Sequence, residues 1–254
     1  MVKPVLLIRS EKNEVDSVAL GKLGIPSLVD PYTEITVASE QTEGLRLFEL
    51  LRHSVHPLWV VATSRNSILY WAQLVGEEAF RSELQTHKDL NFAAVGGATA
   101  QTLRDFGASK VFIPSISEAA TLAQELIMRD PESRALIPGG NLAMPNLPLV
   151  LRNAGWEVET AKVYKTSRVS AEPQSADPLR KGEFSAVLLR SPSAVDALVY
   201  FVSNPPVPLV CAGSTTASAV YAHGLKVSAL SPKPTPEDVA STIHSLIFGE
   251  RLRG

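Results

Sequence analysis

Short apolar runs recur along the chain, separated by segments in which apolar residues return every three to four positions. The runs are "VLLI" (5–8), "LWVVAT" (58–63), "FAAVG" (92–96), "KVFIP" (110–114), "ALIPG" (135–139), "AVLLRS" (186–191), "LVCAG" (209–213) and "KVSAL" (226–230). Helical periodicity fills 65–75, 99–106, 118–128, 145–154, 193–203, 216–222 and 236–247. A strand followed by a helix is a βα unit, and a succession of them builds parallel sheets. The runs are apolar on both alternating faces, as strands covered on both sides are.

The pattern also repeats at longer range. "FAAVGGATAQTLRDFGASKVFIPS" (92–115) aligns with "PLVCAGSTTASAVYAHGLKVSALSP" (208–232), so that Gly96, Thr99 and Gly107 match Gly213, Thr216 and Gly224. "WVVATSRNSILYWAQLV" (59–75) resembles "AVLLRSPSAVDALVYFV" (186–202), and the opening "KPVLLIRS" unit resembles the "RALIPGGN" unit in the middle. If the repeated units keep one order, the opening unit completes the C-terminal half. The expected organisation is then a discontinuous domain, 1–33 plus 168–254, with a second domain, 36–165, inserted into it. The crossings fall at "DPYTEITVA" and "TAKVYKTSR", both β-prone and able to pair as a two-stranded link. A plain division into N- and C-terminal halves is the alternative. The polar "SRVSAEPQSADPLRKGE" that follows reads as a loop.

Composition narrows the function classes. The 254 residues are 45% hydrophobic and 20% charged, with a formal net charge of −2, so no basic field draws nucleic acid or anionic lipid. Cys211, the only cysteine, reads as a small buried side chain. The five histidines (His53, His56, His87, His223, His244) share no ligand spacing, and no phosphate-loop lysine or nucleophile elbow is present. The opening apolar run is too short for a signal peptide, which makes the cytoplasm the expected location.

What recurs is a set of turns rich in Ser, Thr, Gly and Asn: "TSRNS", "GGATA", "PGGN", "RSPSA", "GSTTA" and "KPTPED". Any one is explained as a helix cap. Six at strand C-termini also offer helix N-termini to carboxylates or phosphates, at the edge where parallel sheets bind ligands. The ligand this implies is large, multiply anionic and held mostly by backbone. Arg9 ends the first strand, where it either pairs with a ligand carboxylate or serves as a surface arginine. Tyr164 lies in the second crossing.

These motifs, with "LVLRNAGWEVETAKVYKT" and "KPTPEDVASTI", carry a resemblance over essentially the whole chain to the uroporphyrinogen-III synthase family. The resemblance implies an α/β fold of two similar parallel-sheet domains, joined by a two-stranded link with a cleft between them. It implies cyclisation of hydroxymethylbilane, a linear tetrapyrrole with eight carboxylates, with inversion of ring D. No cofactor or metal is implied. Tyr164 maps onto the family's proton donor. The substrate-holding residues carried over are Arg9, Thr63, Ser64, Asn66, Gly96, Ala98, Thr99, Ser191, Ser193, Ala194, Ser214, Thr215, Thr216 and Thr235.

Two departures touch the grip on substrate. Pro138 and Gly139 stand where many relatives have arginine and glycine, and Arg190 precedes a turn where relatives often have threonine. The first removes a carboxylate partner; the second is a candidate replacement. The expected partners are the tetrapyrrole and, transiently, the preceding hydroxymethylbilane synthase, with no nucleic acid or membrane, for a protein acting as a monomer. The competing reading is a two-lobe anion-binding or regulatory relative that has lost catalysis.

Overall fold

The computed structural model describes residues 2–54, 58–87 and 90–249; His56, one of the five histidines, lies outside them. The chain begins β1 (Val5–Leu7), α1 (Asn13–Lys22), β2 (Ser27–Val29), β3 (Thr33–Val37), α2 (Thr42–Arg52), β4 (Leu58–Ala62), α3 (Arg65–Val75). It continues α4 (Glu77–Thr86), β5 (Leu90–Ala94), α5 (Gly97–Asp105), β6 (Val111–Phe112), α6 (Ala119–Arg129), β7 (Arg134–Gly140), α7 (Asn146–Asn153). It ends β8 (Glu157–Arg168), α8 (Ala176–Arg180), β9 (Ala186–Leu189), α9 (Pro192–Phe201), β10 (Leu209–Cys211), α10 (Ser214–Ala222), β11 (Ala229–Leu230), α11 (Pro236–Phe248).

The chain forms two compact units, Met1–Ile35 with Ser167–Gly254, and Thr36–Thr166. The first holds a five-stranded parallel sheet in the order β11-β10-β9-β1-β2. Alternate side chains of each strand feed opposite cores. Leu6, Val187, Leu189 and Cys211 pack under α8, α9 and α10, while Val5, Leu7, Leu188 and Val210 pack under α1 and α11. The second unit holds a six-stranded sheet in the order β3-β8-β7-β4-β5-β6. Val60, Ala62, Phe92 and Ala94 face α2 to α5, and Trp59, Val61, Ala93 and Ile137 face α6 and α7. Two-sided burial explains why these strands read as unbroken apolar runs.

Strands β3 and β8 carry the chain between the units. The Ala38 N–H bonds the Val163 carbonyl, and the Val169 N–H bonds the Tyr32 carbonyl. The partners run in opposite directions, so this pair is antiparallel.

The structure departs from the sequence reading in several elements. Helices α1, α2 and α4 occupy stretches that the reading leaves unassigned. Helix α1 leaves Val15 and Val18 exposed, which blurs its amphipathic stripe. Edge strand β2 is only three residues long and half exposed. The stretch read as a loop after β8 contains α8, pinned by the Ser175 N–H to Asp30 Oδ2 at 2.7 Å and by Ser175 Oγ to Tyr32 Oη at 3.1 Å. No helix among the described residues is long and apolar enough to cross a membrane.

Candidate functional site

Strand order points to where ligands bind in each sheet. An open parallel sheet forms a crevice where successive connections depart in opposite directions, beyond the strand C-termini. In the first unit β2 and β9 lie on opposite sides of β1, so the crevice falls between β1 and β9. In the second, β5 and β7 lie on opposite sides of β4, so it falls between β4 and β7. A cavity borders each position, reaching the β1 end through Arg9 in the first unit and the β4 end through Thr63 in the second.

In the first unit the cavity is about 310 Å³, lined by Arg9, Arg190, Ser191, Gly213, Thr215 and Thr216 among others. Arg190 is held internally. Its Nε donates to Asp16 Oδ2 at 2.7 Å, its Nη2 to Asp16 Oδ1, and its Nη1 to the Pro234 carbonyl at 2.8 Å. Arg190 is therefore not the carboxylate partner its position suggests. Arg9 Nη2 sits 3.7 Å from Asp16 Oδ2, and Arg9 Nε and Nη2 are buried without a hydrogen bond among the described residues. Burial, more than any neighbouring charge, pulls the Arg9 pKa below its ordinary value; Asp16 works against this and Arg190 with it.

The second unit's cavity, about 380 Å³, is lined by Thr63, Pro138, Gly139, Gly140, Asn141 and Lys162 among others. Tyr164 reaches this edge through an irregularity in β8. The register runs Pro138↔Ala161 and Gly139↔Lys162, then jumps to Gly140↔Tyr164. Val163 is the extra residue, and it packs in the core cluster against which its neighbour Tyr164 also packs. A regular strand would send consecutive side chains to opposite faces. A bulge re-aims one of them, as bulges beside functional sites do. The Tyr164 ring lies over Gly140, where a Cβ would stand 2.4 Å from Cε2. Its other neighbours are the Tyr70 ring, 5.8 Å between centroids, and Ser64 Oγ, 3.4 Å from the hydroxyl.

The six turns divide into distinct kinds. Ser64 Oγ accepts from the Ser67 N–H at 3.1 Å, Ser191 Oγ from Ala194 at 3.3 Å, and Thr235 Oγ1 from Asp238 at 3.2 Å. These hydroxyls cap α3, α9 and α11, so part of each first turn is already satisfied. Pro192 and Pro236 remove a further N–H from α9 and α11. "PGGN" is not a helix start at all, since β7 runs through Gly140 and α7 begins at Asn146. That leaves α5 and α10, whose N-caps are Gly96 and Gly213 with no side-chain cap among the described residues. These are the two turns that match in the sequence repeat.

The other residues named from the sequence take positions along the same two edges. Thr63, Ser64 and Asn66 follow β4, and Gly96, Ala98 and Thr99 follow β5, its sheet neighbour. Ser191, Ser193 and Ala194 follow β9, Ser214, Thr215 and Thr216 follow β10, and Thr235 precedes α11. Ala194 is fully buried, backbone included, and Thr99 and Thr216 are nearly so, leaving those two threonines little to offer a ligand beyond a backbone N–H. The Ala194 N–H is already spent on Ser191. Sequence reasoning missed Asp16 and Tyr70, and held Gly140 only as part of the "PGGN" turn, not as the residue under the Tyr164 ring. No metal-binding cluster is formed among the described residues.

The comparisons with known proteins agree with this architecture. The chain is similar to a mutant uroporphyrinogen III synthase from Thermus thermophilus, at 17% identity over 98% of both chains with a TM-score of 0.57. It is also similar to uroporphyrinogen-III synthetase from Helicobacter pylori, at 15% identity over 96% of this chain and 100% of that one, TM-score 0.64. At such identities the likeness establishes the fold. No curated protein matches. The family profile described as uroporphyrinogen-III synthase HemD matches residues 15–241, and the chain belongs to that family.

Proposed function

We propose that this protein cyclises hydroxymethylbilane to uroporphyrinogen III as its family does, with Tyr164 as the proton donor. The observation that carries the catalytic part is the placement of Tyr164. A bulge and a glycine without a side chain set its ring at the switch point of the inserted sheet, with its hydroxyl near the N-terminus of α3. A phenolic hydroxyl there can protonate the departing hydroxyl of ring A, which leaves as water. The resulting azafulvene is attacked by the substituted α-carbon of ring D. The spiro intermediate then fragments and recloses with that ring inverted.

Without enzyme the unsubstituted carbon attacks and the type I isomer forms, so the protein's main task is positioning. Support for an anionic substrate comes from the uncapped first turns of α5 and α10, and from Arg9 beside the second of them. In this reading Ala98, Thr99, Ser214, Thr215 and Thr216 contribute mainly N–H groups, while Thr63, Asn66 and Ser193 line the same edges. The steps are proton transfer and carbon–carbon bond exchange, which call for no redox or acyl-carrying cofactor. The bilane closes spontaneously to the wrong isomer, which favours direct transfer from the synthase that makes it, in the cytoplasm. The test is to supply hydroxymethylbilane and separate the product isomers. Type III in excess supports the proposal, and type I alone at the uncatalysed rate overturns it in favour of a binding protein.

A further inference from the structure

The pocket at the β1–β9 switch point brings two guanidinium groups against one carboxylate. Asp16, in the first turn of α1, is only 2% exposed and lies against both arginines. It does not share itself evenly. Arg190 takes both carboxylate oxygens with Nε and Nη2, and spends Nη1 on the Pro234 carbonyl in the turn before α11. Arg9 is left with a single long ion pair to Asp16, and its Nε and Nη2 make no hydrogen bond among the described residues. Its backbone is fixed independently, since the Arg9 carbonyl accepts from Asn13 Nδ2 at 2.8 Å. Buried donors without partners are rare and costly, and a guanidinium in that state is matched to an anion. Two positive charges against one buried negative leave one over, opposed among the described residues by the weaker influence of Glu14 and Glu11. That balance suits a single carboxylate.

We infer that Asp16 is a positioning residue for substrate: it commits Arg190 to bracing the β11–α11 turn and leaves Arg9 as the guanidinium that receives a ligand carboxylate. The inference rests on the reading of the ligand as a polycarboxylate tetrapyrrole, and deepens it by separating the arginine that binds from the arginine that supports. A role in stability alone would make Asp16 and Arg9 independent. The positioning role couples them, because losing the Asp16 charge releases Arg190 to replace Arg9.

Equilibrium binding of uroporphyrin III, an octacarboxylate that is not turned over, tests this apart from catalysis. Arg9→Gln should weaken binding about tenfold or more in the parent. Arg190→Lys, which keeps a cation on Asp16 but loses the paired hydrogen bonds and the Pro234 contact, should change binding less than about threefold while lowering Tm by several degrees. In an Asp16→Asn background, Arg9→Gln should cost less than about threefold, because Arg190 can then serve. Equal effects of Arg9→Gln with and without Asp16 would reduce Asp16 to a structural residue and overturn the inference. So would an Arg190→Lys loss as large as that of Arg9→Gln, or failure of the parent to bind the probe. If Asp16→Asn does not fold, the Arg9→Gln and Arg190→Lys comparison decides. A parent that binds uroporphyrin III with this arginine pattern yet makes no type III product would sink the catalytic proposal while sustaining the division of labour.

Discussion

Replacing Gly140 by alanine perturbs the candidate acid without touching it chemically. Gly140 does not have a positive φ, so its backbone accepts a side chain. The obstacle is Tyr164, whose Cε2, Cζ and Oη would stand 2.4, 2.5 and 2.9 Å from the new Cβ. An ordinary carbon–carbon contact is about 3.5–4 Å, so the ring must retreat by roughly 1 Å. Overpacking of this kind costs about 1–3 kcal/mol of stability. A misplacement of about 1 Å at a reacting centre costs on the order of 10²-fold in rate. Gly140→Ala should therefore fold, melt a few degrees lower and make uroporphyrinogen III about 10²-fold more slowly. Gly139→Ala is the control, since its Cβ would meet only the Ala143 Cβ at 3.2 Å and a backbone oxygen at 4.0 Å. Tyr164→Phe should lose roughly tenfold to a few hundredfold, keep its stability and still make type III slowly. Adding Gly140→Ala to Tyr164→Phe should then cost little more. The assay is initial rate with hydroxymethylbilane, with the isomers separated. A folded Gly140→Ala protein working at the parent rate would refute the reasoning, because the hydroxyl position would then not matter.

Ser214 opens α10 after an extended Gly213, a conformation that tolerates a following proline. Ser214→Pro, which deletes one N–H, should weaken uroporphyrin III binding at least about tenfold, and Ser214→Ala should leave it within about twofold. Equal losses in both variants would make the hydroxyl the ligand instead. Burial pushes the Cys211 thiol up to about 11, so it should resist iodoacetamide at pH 8 in the native protein and react quickly in denaturant. An unfolded thiol ionises near its ordinary value of about 8.5. The parent should thus lose stability relative to Cys211→Ala as pH rises from about 8.5 toward about 11, measured by chemical denaturation.

Much of the fold is legible in local pattern. Strands such as Leu58–Ala62 and Ala186–Leu189 are apolar throughout because both sheet faces are covered, and that property is visible without knowing what covers them. The ordered Ser, Thr and Gly turns between them were enough for the family resemblance, and the matching glycines of α5 and α10 already marked the two of those turns that start a helix with no side-chain cap among the described residues. Helix α4 was not legible, because Phe80 and Leu84 are its only buried residues and the rest is polar.

The site itself depends on pairings that sequence cannot place. Whether a serine at a helix start caps its own helix or faces outward is a matter of rotamer, and Ser64 and Ser191 look alike in sequence whichever they do. Tyr164 faces the edge it does because one extra residue in β8 shifts the register against β7, and a register belongs to two strands at once. Arg190 reads as a free cation until Asp16, 174 positions away, is folded against it. Sequence determined which residues could bear charge or donate hydrogen bonds. Tertiary structure decided which of those groups are spent internally and which still face a ligand, because that balance is set by long-range contacts that no local pattern encodes.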